Sequence, residues 1–93
     1  MRREDVKPGD VVMVKTRNSV YAVRFVHDGT YSVSGGWFDR KFGGPIETTI
    51  AGCTWGGSIL QRDMVAACGM HLEFGNRVVT SAIQKVCHFR SRA

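Results

Sequence analysis

The sequence lacks the cysteine arrangements that hold small secreted domains together. It has three cysteines, an odd number, and none of them belongs to a C-x-x-C pair. Disulfide scaffolds normally carry an even number of cysteines and occur in secreted proteins. We therefore expect Cys53, Cys68 and Cys87 to be reduced thiols.

The sequence also lacks a long apolar run. No stretch approaches the ~18 apolar residues of a membrane-spanning helix, and the first ten residues, MRREDVKPGD, contain no apolar signal segment. We therefore expect a cytoplasmic protein with no membrane partner. The length of 93 residues fits a single β domain. Residues 1–7 and 90–93 are polar and charged, and we expect them to be loose.

No block of like charge marks a dedicated nucleic-acid-binding tail. The formal net charge is +5, but four of the basic residues lie within the first three or last four positions: Arg2, Arg3, Arg90 and Arg92. Between residues 6 and 89, nine basic and six acidic residues leave a difference of +3. These charges are scattered along the chain. The small excess of basic over acidic residues therefore favours an anionic partner only mildly.

The recognised phosphate-binding and metal-binding patterns are absent. Neither G-x-x-x-x-G-K-[ST] nor G-x-G-x-x-G occurs. Cys68-x-x-His71 and Cys87-His88 offer zinc-ligand types, but the odd spacing within each pair places the two side chains on opposite faces of a strand. No histidine can be placed beside Cys53 as a general base. We expect no metal, no cofactor and no catalytic residue, so an enzyme is the less favoured interpretation.

A C-terminal hairpin is the strongest pattern present. Two apolar-rich runs between Met64 and Phe89 meet at Gly75-Asn76, a pair that suits a two-residue turn with Gly75 at the position that needs a positive φ. Counting outward from that turn pairs Leu72 with Val79. One face of the first strand is then entirely apolar: Ala66, Cys68, Met70, Leu72 and Phe74. The opposite face of the hairpin is polar: His71, Glu73, Thr80 and Gln84.

The N-terminal half predicts a three-stranded meander. A reversal at Arg17-Asn18 joins strand 11–17 to strand 19–26 and places Val14 opposite Tyr21 and Val12 opposite Val23. A third strand spans 30–34.

The turn between the second and third strands has two interpretations. A two-residue Asp28-Gly29 loop would pair Phe25 with Ser32. A three-residue loop with a bulge would pair Phe25 with Tyr31. The second keeps one continuous apolar face, and we favour it.

Residues 35–57 form a long connection rich in glycine and aromatic residues. A short fourth strand is expected over 46–53, and 58–63 is either a short strand or one helical turn. The remainder is expected to be loop. Together the elements predict an all-β fold of five to six antiparallel strands, a small barrel or sandwich of SH3-like size.

The connection also holds the candidate ligand-binding residues. Aromatic rings interleaved with cations suit single-stranded nucleic acid, because the rings stack on bases while the cations meet phosphates. Glycine amides could add contacts to an anion. The candidates are Trp37, Arg40, Lys41, Phe42, Trp55, Gly56, Gly57 and Ser58. The alternative, which we favour for the rings, is that Trp37, Phe38 and Phe42 cap an open end of the barrel. The glycines likewise suit bulges and bends better.

One apolar row lies on the outward face of the first hairpin. Its members are Val11, Met13, Val20 and Ala22. An apolar outer face is typical of a surface covered by a terminal segment or by a second copy of the protein. We therefore expect self-association as one possible role.

Four segments resemble parts of short bacterial β proteins of unknown function. They are TRNSVY (residues 16–21), GCTWGGSIL (52–60), GMHLEF (69–74) and VVTSAIQKV (78–86). The resemblance implies a small stand-alone β domain and assigns no site residue. With the charge and the aromatic residues, it leaves a binding module for nucleic acid or another anionic partner as the main hypothesis. The alternatives are a self-associating structural protein and an unrecognised enzyme.

Overall fold

The computed structural model describes residues 1–27, 29–55 and 59–91. These residues form a mostly β fold with one short helix, α1 (Gly36–Phe42), and a 3₁₀ turn over Arg3–Asp5. The strands are β1 (Val11–Thr16), β2 (Val20–His27), β3 (Thr30–Gly35), β4 (Ile46–Thr48), β5 (Ile50–Trp55), β6 (Ile59–Gln61), β7 (His71–Phe74) and β8 (Ile83–Phe89). The expectation of five to six strands was therefore too low.

The strands belong to two antiparallel sheets. One has five strands in the order β4-β3-β2-β1-β8, and the other has three in the order β6-β5-β7. Across the described residues the two sheets do not close into a barrel, so the barrel alternative is wrong. Apolar side chains from both sheets share one core, which includes Val14, Val33, Leu72 and Phe74.

The N-terminal meander has the register that the sequence predicts. Val12 pairs with Val23 and Val14 with Tyr21. Phe25 pairs with Tyr31, which is the pairing that the favoured interpretation predicts, and the register shifts between Phe25 and His27. The inward apolar row and the local turn together determine this part of the fold.

The C-terminal hairpin prediction is wrong in two respects. First, β7 and β8 belong to different sheets, because β7 pairs with β5 and β8 pairs with β1. Second, the loop at the tip has three residues, 75–77, closed by the Phe74 N–H donating to the Val78 carbonyl at 2.9 Å. Arg77, with φ of 70°, adopts the left-handed conformation that the prediction gave to Gly75.

Because the loop has one residue more than predicted, the side chains that follow it lie on the opposite faces from those expected. The Thr80 N–H donates to the Leu72 carbonyl at 2.9 Å, so Thr80 lies opposite Leu72 where Val79 was expected. Thr80 is buried and Val79 is 48% exposed, the reverse of the prediction. On the first strand the expected inward row is buried at Ala66, Met70, Leu72 and Phe74, whereas Cys68 is exposed.

Residues 35–55 contain more secondary structure than the sequence predicts. They contain α1 and β4, and β5 is the central strand of the three-stranded sheet. The strand interpretation of 58–63 is confirmed by β6. Gly56, Gly57 and Ser58 lie outside the described residues.

The N-terminal residues, expected to be loose, contact the chain after β6. The Arg3 N–H donates to the Asp63 carbonyl at 2.7 Å, and Arg2 forms a bridge with Met64. Near the other end, the Ser91 N–H donates to Asp10 Oδ1 at 2.7 Å. No helix within the described residues has the length and apolar character needed to cross a bilayer.

The outward face of the five-stranded sheet carries the expected apolar row. The strand β8 extends it, because Phe89 pairs with Val11 and Cys87 pairs with Met13. Val20 is 47% and Phe89 58% exposed. We call this surface the outer sheet face, and its members are Val11, Met13, Val20, Ala22, Cys87 and Phe89.

Candidate functional site

The helix α1 presents half of the candidate binding residues, and two glycines fix its start. Gly35 and Gly36 have φ of 93° and 46°, a region that other residues rarely adopt. A side chain on Gly36 would meet the ring of Tyr21. The Gly35 N–H donates to Asp39 Oδ1 at 2.9 Å. The carboxylate of Asp39 therefore stabilises the turn into the helix.

One buried ring anchors α1 to the core. Phe38 is fully buried, with its ring centroid 4.9 Å from that of Phe74 and 6.2 Å from that of Tyr21, both in edge-to-face geometry. These contacts join the helix to β7 and β2, which lie in different sheets. For Phe38, the interpretation of the aromatic residues as a core cap is therefore correct.

The rest of the helix surface is cationic and aromatic. Arg40 and Lys41 are exposed, and Phe42 is 52% exposed. Trp37 is half-buried, with its ring 5.6 Å from that of Phe42 and 5.2 Å from that of Phe38. Positions three and four apart share a helix face, which places Arg40 and Lys41 beside Trp37. We call Trp37, Arg40, Lys41 and Phe42 the α1 patch.

Trp55 is not part of the α1 patch. Phe74, on which the helix packs, pairs with Ile50 at the start of β5, whereas Trp55 lies at the other end of that strand. Ile50 and Trp55 are five positions apart on β5, which at ~3.3 Å per residue separates them by roughly 16 Å. Trp55 is 55% exposed and pairs with Ile59, which is 61% exposed. The predicted site is thus divided into two surfaces.

A buried carboxylate and a histidine form a network that the sequence did not suggest. Asp10 is buried, and its Oδ2 atom lies 2.7 Å from Nε2 of His88 and accepts the Lys7 N–H at 3.0 Å. Its other oxygen accepts the Ser91 N–H. These hydrogen bonds, above all those from the Ser91 and Lys7 amides, lower the pKa of Asp10 to about 2. The network ties the end of β8 to the start of β1.

Two other side chains with reactive groups are Cys53 and His71. Burial raises the pKa of the Cys53 thiol to about 11, which keeps it protonated and poorly nucleophilic. His71 Nδ1 lies 2.8 Å from the Thr80 carbonyl oxygen. Within residues 1–27, 29–55 and 59–91, no three histidine, cysteine or acidic side chains are grouped as metal ligands.

Comparison with known proteins gives no further assignment. Neither a family model, nor a curated protein, nor a solved structure matches the chain. No relative therefore supplies a residue role, and the contacts and charges of the chain itself indicate what it can bind.

Proposed function

We propose that the protein is a small β binding module that holds single-stranded nucleic acid on the α1 patch. The observation that supports this is one short helix exposing Arg40, Lys41 and Phe42 together, with Trp37 packed against the Phe42 ring. Bases stack on aromatic rings without a sequence requirement, and the neighbouring cations meet phosphates. Because Phe38 fixes the helix to both sheets, the patch requires little ordering on binding.

The double variant R40Q/K41Q tests the proposal. For two lost phosphate contacts, the negative slope of log K against log salt should become shallower by about 1.4. Fluorescence anisotropy with a labelled oligonucleotide, measured over a series of salt concentrations, gives both the affinity and the slope. The matched control is K7Q/R17Q, which removes the same charge from exposed positions elsewhere. If both double variants weaken binding equally, or if wild-type affinity is independent of salt, the α1 patch is not the site.

A second candidate function is self-association through the outer sheet face. It is favoured by the apolar pairs that cross three neighbouring strands from Ala22 through Met13 to Cys87, with Val20 and Phe89 about half exposed. Lys15 and Arg24 lie beside them on the same face. An exposed apolar patch of this kind suits a second copy of the chain.

Light scattering at rising concentration tests self-association. We expect a dimer for the wild type and a monomer for Val20→Glu, because the charge would be buried in the interface. Val79→Glu is the matched control, since Val79 is equally exposed (48% against 47%) but lies away from the outer sheet face. A wild-type monomer at high concentration would exclude this role.

A further inference from the structure

A cleft lies between the 3₁₀ turn and the chain that follows β6. It has a volume of about 490 Å³, within the ~300–1,000 Å³ that is usual for small-molecule sites. Its lining residues are all of charged types, although most of the surface that they expose to the cleft is apolar: Arg2, Arg3, Glu4, Arg62 and Asp63. Neither the α1 patch nor the outer sheet face includes any of these residues.

The walls of the cleft are held by hydrogen bonds from the Arg3 side chain. Its guanidinium donates from Nη2 to the carbonyl oxygens of Arg62 at 2.6 Å and Ile50 at 3.0 Å, and from Nε to Arg62 at 3.2 Å. With the backbone bond between Arg3 and Asp63, these contacts join two segments about sixty positions apart. The cleft is therefore formed before any ligand arrives.

Two charged side chains of the cleft are available to bind a ligand. Across the three described ranges, neither the Arg62 guanidinium nor the Glu4 carboxylate forms a hydrogen bond or ion pair. Arg2 pairs with Asp63 at 3.4 Å, but both side chains are about 60% exposed, so the pair can exchange partners at little cost. The cleft thus offers guanidinium forks and carboxylate acceptors side by side.

We infer that the cleft binds a phosphorylated sugar, either free or as part of a mononucleotide. A guanidinium fork matches the geometry of a phosphate and can hold it with two parallel hydrogen bonds. Inorganic phosphate alone would also meet the negative charges of Glu4 and Asp63. The hydroxyls of a sugar turn those carboxylates into useful acceptors, since an ionised carboxylate only accepts hydrogen bonds.

The Arg62→Gln variant tests the inference. The Arg62 side chain is exposed and forms no hydrogen bond or ion pair within the described ranges, so the variant should fold normally. The loss of one charge-assisted hydrogen-bonding group should cost about tenfold in affinity for ribose 5-phosphate. Calorimetric titrations would compare ribose 5-phosphate, adenosine 5′-monophosphate, inorganic phosphate and ribose. Lys85→Gln, which removes an exposed positive charge outside the cleft, is the matched control.

The Glu4→Gln variant separates a built site from general attraction of anions. Removal of the carboxylate should strengthen the binding of inorganic phosphate and reduce the ratio by which ribose 5-phosphate binds more tightly. If the cleft attracted anions only through its net charge, the variant would bind both ligands more tightly by the same factor. Oligonucleotide binding by the α1 patch should be unaffected by Arg62→Gln, which keeps the two sites distinguishable. The inference is overturned if wild-type protein binds ribose 5-phosphate no better than inorganic phosphate, or if Arg62→Gln and Lys85→Gln behave alike.

Discussion

The Phe38→Ala variant is expected to lose about 3–5 kcal/mol of unfolding free energy, the usual cost of removing a buried phenylalanine ring. Phe38 is fully buried and contacts aromatic rings of both sheets, Tyr21 and Phe74. Small domains are stable by only about 5–15 kcal/mol in total. The variant should therefore be close to unfolding, and α1 should separate from the sheets first.

Phe42→Ala is the matched control, because it removes the same ring from the same helix. Phe42 is 52% exposed and contacts mainly Trp37, so we expect a loss below about 1 kcal/mol. Urea unfolding of the two variants gives the comparison. On the proposed function, Phe42→Ala should weaken oligonucleotide binding while leaving the fold intact. Equal destabilisation by the two substitutions would show that Phe38 does not anchor the helix.

The sequence predicted the meander because all its determinants are local. Val12 and Val14 on β1 lie opposite Val23 and Tyr21 on β2, and the turn between the strands carries a residue suited to it, so the predicted register buries all four side chains. The one ambiguous turn was decided by the same requirement for a continuous apolar face. Local pattern and tertiary packing agree in this half of the chain.

The C-terminal prediction failed because a glycine there serves a tertiary contact and not the turn. The Gly75 N–H donates to the Thr49 carbonyl at 2.8 Å, and a side chain at position 75 would collide with Thr49. A Gly-Asn pair indicates a two-residue turn only when no other segment of the chain packs against the glycine. The approach of residue 49 cannot be seen from the sequence, and the chain turns at Arg77 instead.

The candidate surfaces were predictable only where their residues are neighbours in the chain. The α1 patch is a short segment, and its composition was visible at once. The Asp10 and His88 side chains are 78 positions apart, and the cleft joins Arg3 to Arg62, 59 positions away. Those contacts depend on the pairing of β1 with β8 and on the course of the chain after β6. Neither followed from periodicity or spacing.

The Asp10 network should make the fold sensitive to acid. In the folded protein the pKa of Asp10 is about 2, below its ordinary value of 3.8, chiefly because the Ser91 and Lys7 amides donate to the carboxylate. A lowered pKa means that folding favours the ionised form. This contribution to stability is complete above about pH 4 and is lost as the pH falls through about 2.

Asp10→Asn should therefore unfold more readily than the wild type at pH 5, with a difference that shrinks steadily on acidification to about pH 2. Asparagine keeps one oxygen for an amide donor but has no charge for His88, so the side chain stays similar in shape while the ionised form is lost. Urea midpoints measured from pH 5 to 2 give the two curves. Glu47→Gln, which removes an exposed carboxylate from β4, should keep the wild-type dependence on pH. If Asp10→Asn and the wild type instead ran parallel throughout, the carboxylate would not be ionised and bonded in the folded protein as its three contacts indicate.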